Sequence, residues 1–197
     1  KIRLLFVVLC FFIGTTNTFS QQQIGQDIDG EAAFDYSGHS VSLSSDGSIV
    51  AIGAPFNDVN VGTEGHVRIY EIVNGTWTQI GQDIDGEAAY DQSGHSVSLS
   101  SDGSIVAIGA HDHEYYTGHV RIYENNGGSW TQLGLDIDGE AEYDHSGSSV
   151  SLSSDGSIVA IGATDNGGNG NYSGHVRIYE NTSGTWTQIG QDIDGEE

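Results

Sequence analysis

The fifteen residues SVSLSSDGSIVAIGA at 40–54 recur without a single change at 96–110 and at 149–163. Within the first copy, Val41 and Leu43 alternate with Ser40, Ser42 and Ser44. That period of two predicts a strand with one apolar and one small polar face. Ser45-Asp46-Gly47-Ser48 reads as a tight turn, with a glycine free to adopt positive φ. Residues 49–52 (IVAI) form a continuous apolar run, as expected of a strand covered on both faces. One short quotation therefore predicts the same antiparallel hairpin three times.

Working outward, GHVRIYE occurs at 65–71, 118–124 and 174–180, and DIDGE at 27–31, 83–87, 136–140 and 192–196. Successive copies of the fifteen-residue stretch begin 56 and 53 residues apart, and the length differences fall in loops. The chain is thus three repeats of about 55 residues with an additional copy of the boundary segment. A third strand starts at His66, with Val67 and Ile69 on one face and Arg68 and Tyr70 on the other. Asn74-Gly75 is a strong hairpin signal, and residues 77–82 supply a fourth strand. No helical period occurs after the first twenty residues.

Four antiparallel strands per repeat, with Tyr70 and Trp77 available for packing between repeats, predict an all-β chain built of β-propeller blades. A β-sandwich also uses short, evenly spaced strands, but it does not require near-identical repeats at this period. The blades are placed at about 22–77, 78–130 and 131–186, with a partial repeat at 187–197. Closed propellers usually have about four to eight blades. Three blades are therefore expected to belong to a larger propeller, or to associate with further copies until a ring closes. Residues 23–29 are a spare outer strand suited to such closure.

Composition limits the function. The 197 residues include 28 acids and five bases, for a formal net charge of -23. A nucleic-acid partner and recruitment to an anionic membrane surface are both disfavoured, because each needs Lys/Arg patches. Lys1 and Arg3 precede an apolar run at 4–14, and a mostly small, polar stretch follows at 15–20. This is the order of a secretory signal peptide, and the run is shorter than the roughly 18 residues that a membrane span needs. Residues 1–20 are therefore read as a signal peptide, 21–197 as the mature chain, and the location as extracellular. The only cysteine, Cys10, lies in the leader. The mature chain must hold together by burial and backbone pairing rather than disulfides.

Ser37-Gly38 opens the first strand, and Gly53-Ala54-Pro55 closes the second. The repeat thereby resembles the FG-GAP repeat, the blade unit of integrin α-subunit propellers and of many secreted proteins, over about residues 22–197. Two departures stand out. The Phe of the FG pair is Ser37, Ser93 or Ser146, and the Pro of GAP persists only at Pro55, with His111 and Thr164 in its place elsewhere. The resemblance implies a propeller used for adhesion or recognition, or as an accessory module beside an enzyme domain. The family's calcium loop lies in the hairpin between the first two strands. Here that hairpin is only Ser45-Asp46-Gly47-Ser48, too short to cage a metal, so that site does not carry over.

The acidic boundary offers a different calcium candidate. Asp27, Asp29 and Asp35 recur as Asp83, Asp85 and Asp91 and as Asp136, Asp138 and Asp144, accompanied by Glu31, Glu87 and Glu140. Oxygen ligands beside a glycine bend suit Ca²⁺. The competing reading is Asx-turns and a solvated rim. Arg68, Arg121 and Arg177 hold one equivalent position and are expected to pair with neighbouring carboxylates. His111 and His113 share a loop with Asp112 and Glu114, read as solvated because two histidines without cysteine make a sparse zinc set. No nucleophile elbow occurs, and near-identical repeats argue against one asymmetric catalytic centre.

The expected function is therefore a secreted, non-enzymatic scaffold recognising a protein or glycan partner. Its variable loops at 55–64, 111–117 and 164–173 are the expected contact surface, with Tyr115, Tyr116, Asn169 and Tyr172 suited to adaptable contacts. The alternatives are a calcium-stiffened structural surface protein and an accessory module of a larger extracellular enzyme.

Overall fold

Alternating apolar and serine residues form β1 (Ser40–Leu43), which pairs antiparallel with the apolar β2 (Ile49–Ala54). β3 (His66–Val73) and β4 (Thr76–Gln79) continue the sheet in the order β1-β2-β3-β4. The computed structural model describes residues 22–58 and 62–196, so the proposed signal peptide lies outside the described residues. The sequence alone predicts a fourth strand that reaches residue 82. It stops at Gln79, and Gly81 follows at φ 73°. The chain then returns to the same edge of β3 as β5 (Ile84–Asp85). The boundary segment is thus a short fifth strand of the blade it follows.

The pattern repeats twice more. The second blade comprises β6 (Ser96–Leu99), β7 (Ile105–Ala110), β8 (His119–Asn125), β9 (Trp130–Gln132) and β10 (Ile137–Asp138). The third comprises β11 (Ser146–Leu152), β12 (Ile158–Ala163), β13 (His175–Thr182), β14 (Thr185–Gln188) and β15 (Ile193–Asp194). The only helix among the described residues is a four-residue turn, His113–Tyr116. No helix among them is long and apolar enough to cross a membrane. Three successive antiparallel blades packed face to face make this an all-β propeller architecture.

Both faces of the inner strands serve packing between blades. The apolar face joins blade one to blade two in a core of Ala51, Val67 and Ile69 with Val97, Leu99 and Val106. Each such valine, leucine or isoleucine contributes about 1.5–3 kcal/mol when fully buried. The serine face hydrogen-bonds the next blade: Leu99 N–H donates to Ser42 Oγ and Leu152 N–H to Ser98 Oγ, both at 2.9 Å. The inner-strand backbones come close enough that a methyl group at Gly109 would lie 2.1 Å from the Gly147 carbonyl oxygen. At the outer side, each Trp Nε1 donates to the boundary of the preceding blade. Trp130 reaches Ile80 O at 2.9 Å and Trp186 reaches Leu133 O at 2.8 Å.

The first blade lacks a neighbour on its β1 side among the described residues. Val41 and Leu43 are 63% and 59% exposed, where the equivalent Val97 and Leu99 are 9% and 7% exposed. The same sequence is therefore core or surface depending only on whether a blade covers it.

Candidate functional site: the loop end of the blades

Every blade places the segment before its first strand and the loop between its second and third strands at one end. Backbone hydrogen bonds knit these pieces into a continuous rim. Phe56 N–H donates to Asp35 O, Gln92 N–H to Thr63 O, and His145 N–H to Tyr116 O. Under the rim lies a repeated clamp. Asp35, Asp91 and Asp144 are buried, and each Oδ2 accepts the backbone N–H three residues earlier, at 2.9–3.0 Å. The same oxygen accepts Asn57 Nδ2 at 3.1 Å in blade one and Asn166 Nδ2 at 2.9 Å in blade three. In blade two, His113 takes the asparagine position, with Nδ1 at 3.0 Å from Asp91 Oδ2.

The rim carries the exposed aromatics. Phe34, Tyr36, Tyr90, Tyr115, Tyr116, Tyr143 and Tyr172 are the strongly exposed aromatic residues among the described ones, and all lie at this end. All seven have left-handed backbone, with φ between 55° and 74°. A bulky L-residue rarely adopts this region, and doing so costs about 1–2 kcal/mol. The aromatics project from turns fixed by the clamp beneath them. Tyr90, Gln92, Asp112, Glu114, Tyr115 and Tyr116 line a cleft of about 550 Å³ at the loop end of blade two.

Beside this cleft lies a histidine cluster. The rings of His39, His95, His111 and His145 follow one another with centroids 4.9, 3.7 and 5.5 Å apart. Asp112 Oδ1 sits 3.3 Å from His111 Nε2 and 3.3 Å from His145 Nδ1. Burial, with the neighbouring imidazoles, holds His95 and His111 down to about 4, and burial pushes the Asp112 carboxyl up. The sequence alone predicts a solvated loop at 111–114. Instead, His111, Asp112 and His113 are half-buried, because residues 88–95 and His145 pack over them. His111 and His113 also part company, one toward His145 and the other toward His119, whose ring lies 4.0 Å away.

The proposed calcium residues divide between two places. Among the described residues, no group of three close ligand atoms combines Asp35, Asp91 or Asp144 with the DIDGE acids. Those three carboxylates hold the rim clamp instead. Asp27 is exposed and accepts Gln23 Nε2 at 2.8 Å, while Asp83 and Asp136 accept Gln79 and Gln132. The main-chain carbonyls of Asp29, Asp85 and Asp138 accept Arg68, Arg121 and Arg177 at 2.7–2.8 Å. Each guanidinium also faces a carboxylate, Glu31, Glu87 or Glu140, at 3.2–3.7 Å. The expected arginine pairing is therefore present, and it joins each boundary segment to the following blade.

A buried histidine stands over each boundary. His66, His119 and His175 each lie within 4.8 Å of acidic oxygens from the boundary segments. Burial lowers His66 and brings His119 down to about 3.

Sequence reasoning missed the rim residues Phe34, Tyr90 and Tyr143, together with Gln92 and His145. The signal was present: an aromatic residue precedes the clamp aspartate in every copy (Phe34-Asp35, Tyr90-Asp91, Tyr143-Asp144).

No family model and no curated protein matches this chain. Among solved structures, it is similar to a Bacteroides uniformis protein provisionally assigned as a 6-phosphogluconolactonase. That match has a TM-score of 0.54 and 15% identity, covering 79% of this chain and 40% of that one. It is also similar to Sqt1 of Saccharomyces cerevisiae, with a TM-score of 0.53 and 14% identity, covering 84% and 38%. The β-propeller domain of the Trilobed protease from Pyrococcus furiosus, with an open velcro topology, aligns at a TM-score of 0.47 and 12% identity, covering 82% and 43%. The chain spans about two fifths of the length of the first two structures. At such identities the likeness concerns the fold alone.

Proposed function

We propose that this chain is a secreted, non-enzymatic recognition scaffold of the FG-GAP type that binds an uncharged glycan at its loop end. The observation carrying this reading is the set of seven exposed aromatics, all held at left-handed φ on one rim. Left-handed backbone is kept at the equivalent positions 34, 90 and 143 although each ring is exposed, and such outliers gather at functional sites. Flat aromatic rings match the apolar faces of sugars, while nearby polar groups match their hydroxyl edges. Gln92, Asp112 and Glu114 supply those polar groups in the cleft. The strong negative charge disfavours acidic partners, so a neutral sugar suits the surface.

The test is binding of the protein to an array of immobilised neutral glycans, repeated with Tyr115→Ala and Tyr116→Ala. Selective binding that falls at least about tenfold in both variants, equivalent to about 1.4 kcal/mol, supports the reading. Absence of glycan binding, or binding indifferent to both changes, refutes it.

A calcium-stiffened structural role is the second reading. Its support is the close approach of paired boundary acids: the Asp85 and Asp138 carboxyls are pushed up, first by burial and then by Asp83 and Asp136 respectively. A bound cation would relieve that repulsion. A thermal melt in EDTA and then in millimolar Ca²⁺ tests it, with a rise in Tm as the supporting result.

A further inference from the structure

Three positions at which the blades differ meet between blades two and three. His111 stands where the other blades have Pro55 and Thr164, His145 where they have Tyr36 and Gln92, and Asp112 where blade one has Phe56. We propose that His111, Asp112 and His145 form a transition-metal site, of zinc class, that clips blade three to blade two at the edge of the recognition surface.

The geometry supports convergence on one ion. Asp112 Oδ1 is 3.3 Å from His111 Nε2 and 3.3 Å from His145 Nδ1, and one ligand atom from each of the three residues lies within 4.8 Å of the others. Ligands on a tetrahedral ion with bonds of about 2.0 Å stand roughly 3.3 Å apart. His145 Nδ1 is buried without a hydrogen-bond partner, a costly state unless something else meets it. The outer groups are also suitably placed. Gln92 donates to Asp112 Oδ2 and leaves Oδ1 free for the histidines. Asp165 Oδ2 lies 3.6 Å from His145 Nε2, the nitrogen on the far side of the ring. A carboxylate behind a ligating imidazole fixes its tautomer and orientation.

Two imidazole nitrogens and one carboxylate oxygen suit Zn²⁺ and its neighbours rather than Ca²⁺, which takes six to eight oxygens. The side chains are 16%, 13% and 21% exposed, so solvent can reach the cluster. His113 belongs to a different structure. It stands in for Asn57 and Asn166 in the buried aspartate clamp, so it serves the fold and makes a sharp control.

The experiment is calorimetric titration of the full chain with Zn²⁺ alone, alongside Co²⁺ loading monitored by visible absorbance. His145→Gln and His111→Thr install residues that other blades carry at those positions, and His113→Asn installs the clamp of blades one and three. The expected result is one Zn²⁺ per chain and a tetrahedral-type Co²⁺ band. Affinity should fall by about a hundredfold or more in His145→Gln and His111→Thr, with His113→Asn unchanged. Asp112→Asn adds a further ligand test should either histidine variant fail to fold, and it should weaken binding similarly. Absence of Zn²⁺ binding tighter than millimolar overturns the proposal. So does binding that survives His145→Gln and Asp112→Asn but is lost in His113→Asn. Because no sugar enters the titration, failure here leaves the glycan reading untouched.

Discussion

The two ends of these blades are made by the same repeat and obey different rules. At the turn end, SSDGS closes every first hairpin identically. The carboxylate of Asp46 accepts Ser44 Oγ at 2.8 Å, Ser48 N–H at 2.9 Å and Ser48 Oγ at 2.7 Å, and Asp102 and Asp155 do the same in their blades. Gly47 provides the one positive φ that this turn needs. Every local choice agrees with the fold. At the loop end, ten of the twelve described non-glycine residues with left-handed φ are gathered, and most are aromatic. There the local choices conflict with backbone preference. The turn end thus specifies the frame, while the loop end draws on the frame's stability to hold side chains outward.

The frame gives the largest expected effect. Gly109→Ala should destabilise the protein by about 3 kcal/mol or prevent folding, because its new methyl would meet the Gly147 backbone rather than a movable side chain. Urea unfolding followed by circular dichroism measures this. A cost below 1.4 kcal/mol, about tenfold in the folding equilibrium, would mean the blades separate easily.

Acid should separate the two ends in pH. In metal-free buffer, the buried His66 and His119 have folded pKa values lowered below the ordinary 6.5. Protonation favours the unfolded chain, so their contribution is present above pH 6.5 and is lost as pH falls below it, for His119 down to about 3. At the turn end, hydrogen bonds from Ser48 and then Ser44 hold Asp46 down to about 2, and those from Ser153 and Ser157 do the same for Asp155, against an ordinary 3.8. That contribution is present above about 4 and is lost as pH falls toward 2. Tm against pH should therefore fall first below 6.5, and again below 4. His119→Gln should flatten the first decline and spare the second. A single decline confined below pH 4 would contradict the role of the buried histidines.

Relief of strain is a smaller effect with an informative sign. Tyr90→Gly should raise stability by about 1 kcal/mol, because φ of 73° costs glycine nothing. It should also weaken ligand binding. A destabilised Tyr90→Gly would show that the ring packs for the fold rather than for a partner.

Much of the frame was legible in the residues themselves. Exact repetition of SVSLSSDGSIVAIGA and GHVRIYE fixed strands, turns and blade count, since period-two patterning and turn chemistry act locally. The arginine pairing was also legible, because a lone base in an acidic repeat has few other partners. The short strand β5 was not, since Ile84 and Asp85 are too few to show a period. The exposure of Val41 against the burial of Val97 depends on a neighbouring blade and cannot be read from identical sequence. The meeting of His111 with His145 and the separation of His111 from His113 are likewise tertiary. A loop reading weighs residues along the chain, while these contacts are set by which blade lies alongside. The aromatic rim lay between the two, visible as a repeated Phe/Tyr-Asp pair whose strained backbone only the fold reveals.

In the function proposed above, the loop end recognises the partner while the repeated frame presents it. Replacing residues 111–117 with the blade-three loop 164–173 tests this directly, with thermal stability and glycan binding measured on the same sample. The account predicts a cooperative melt close to the parent's and a loss of binding of at least about tenfold. Unchanged binding in a folded loop exchange would contradict it.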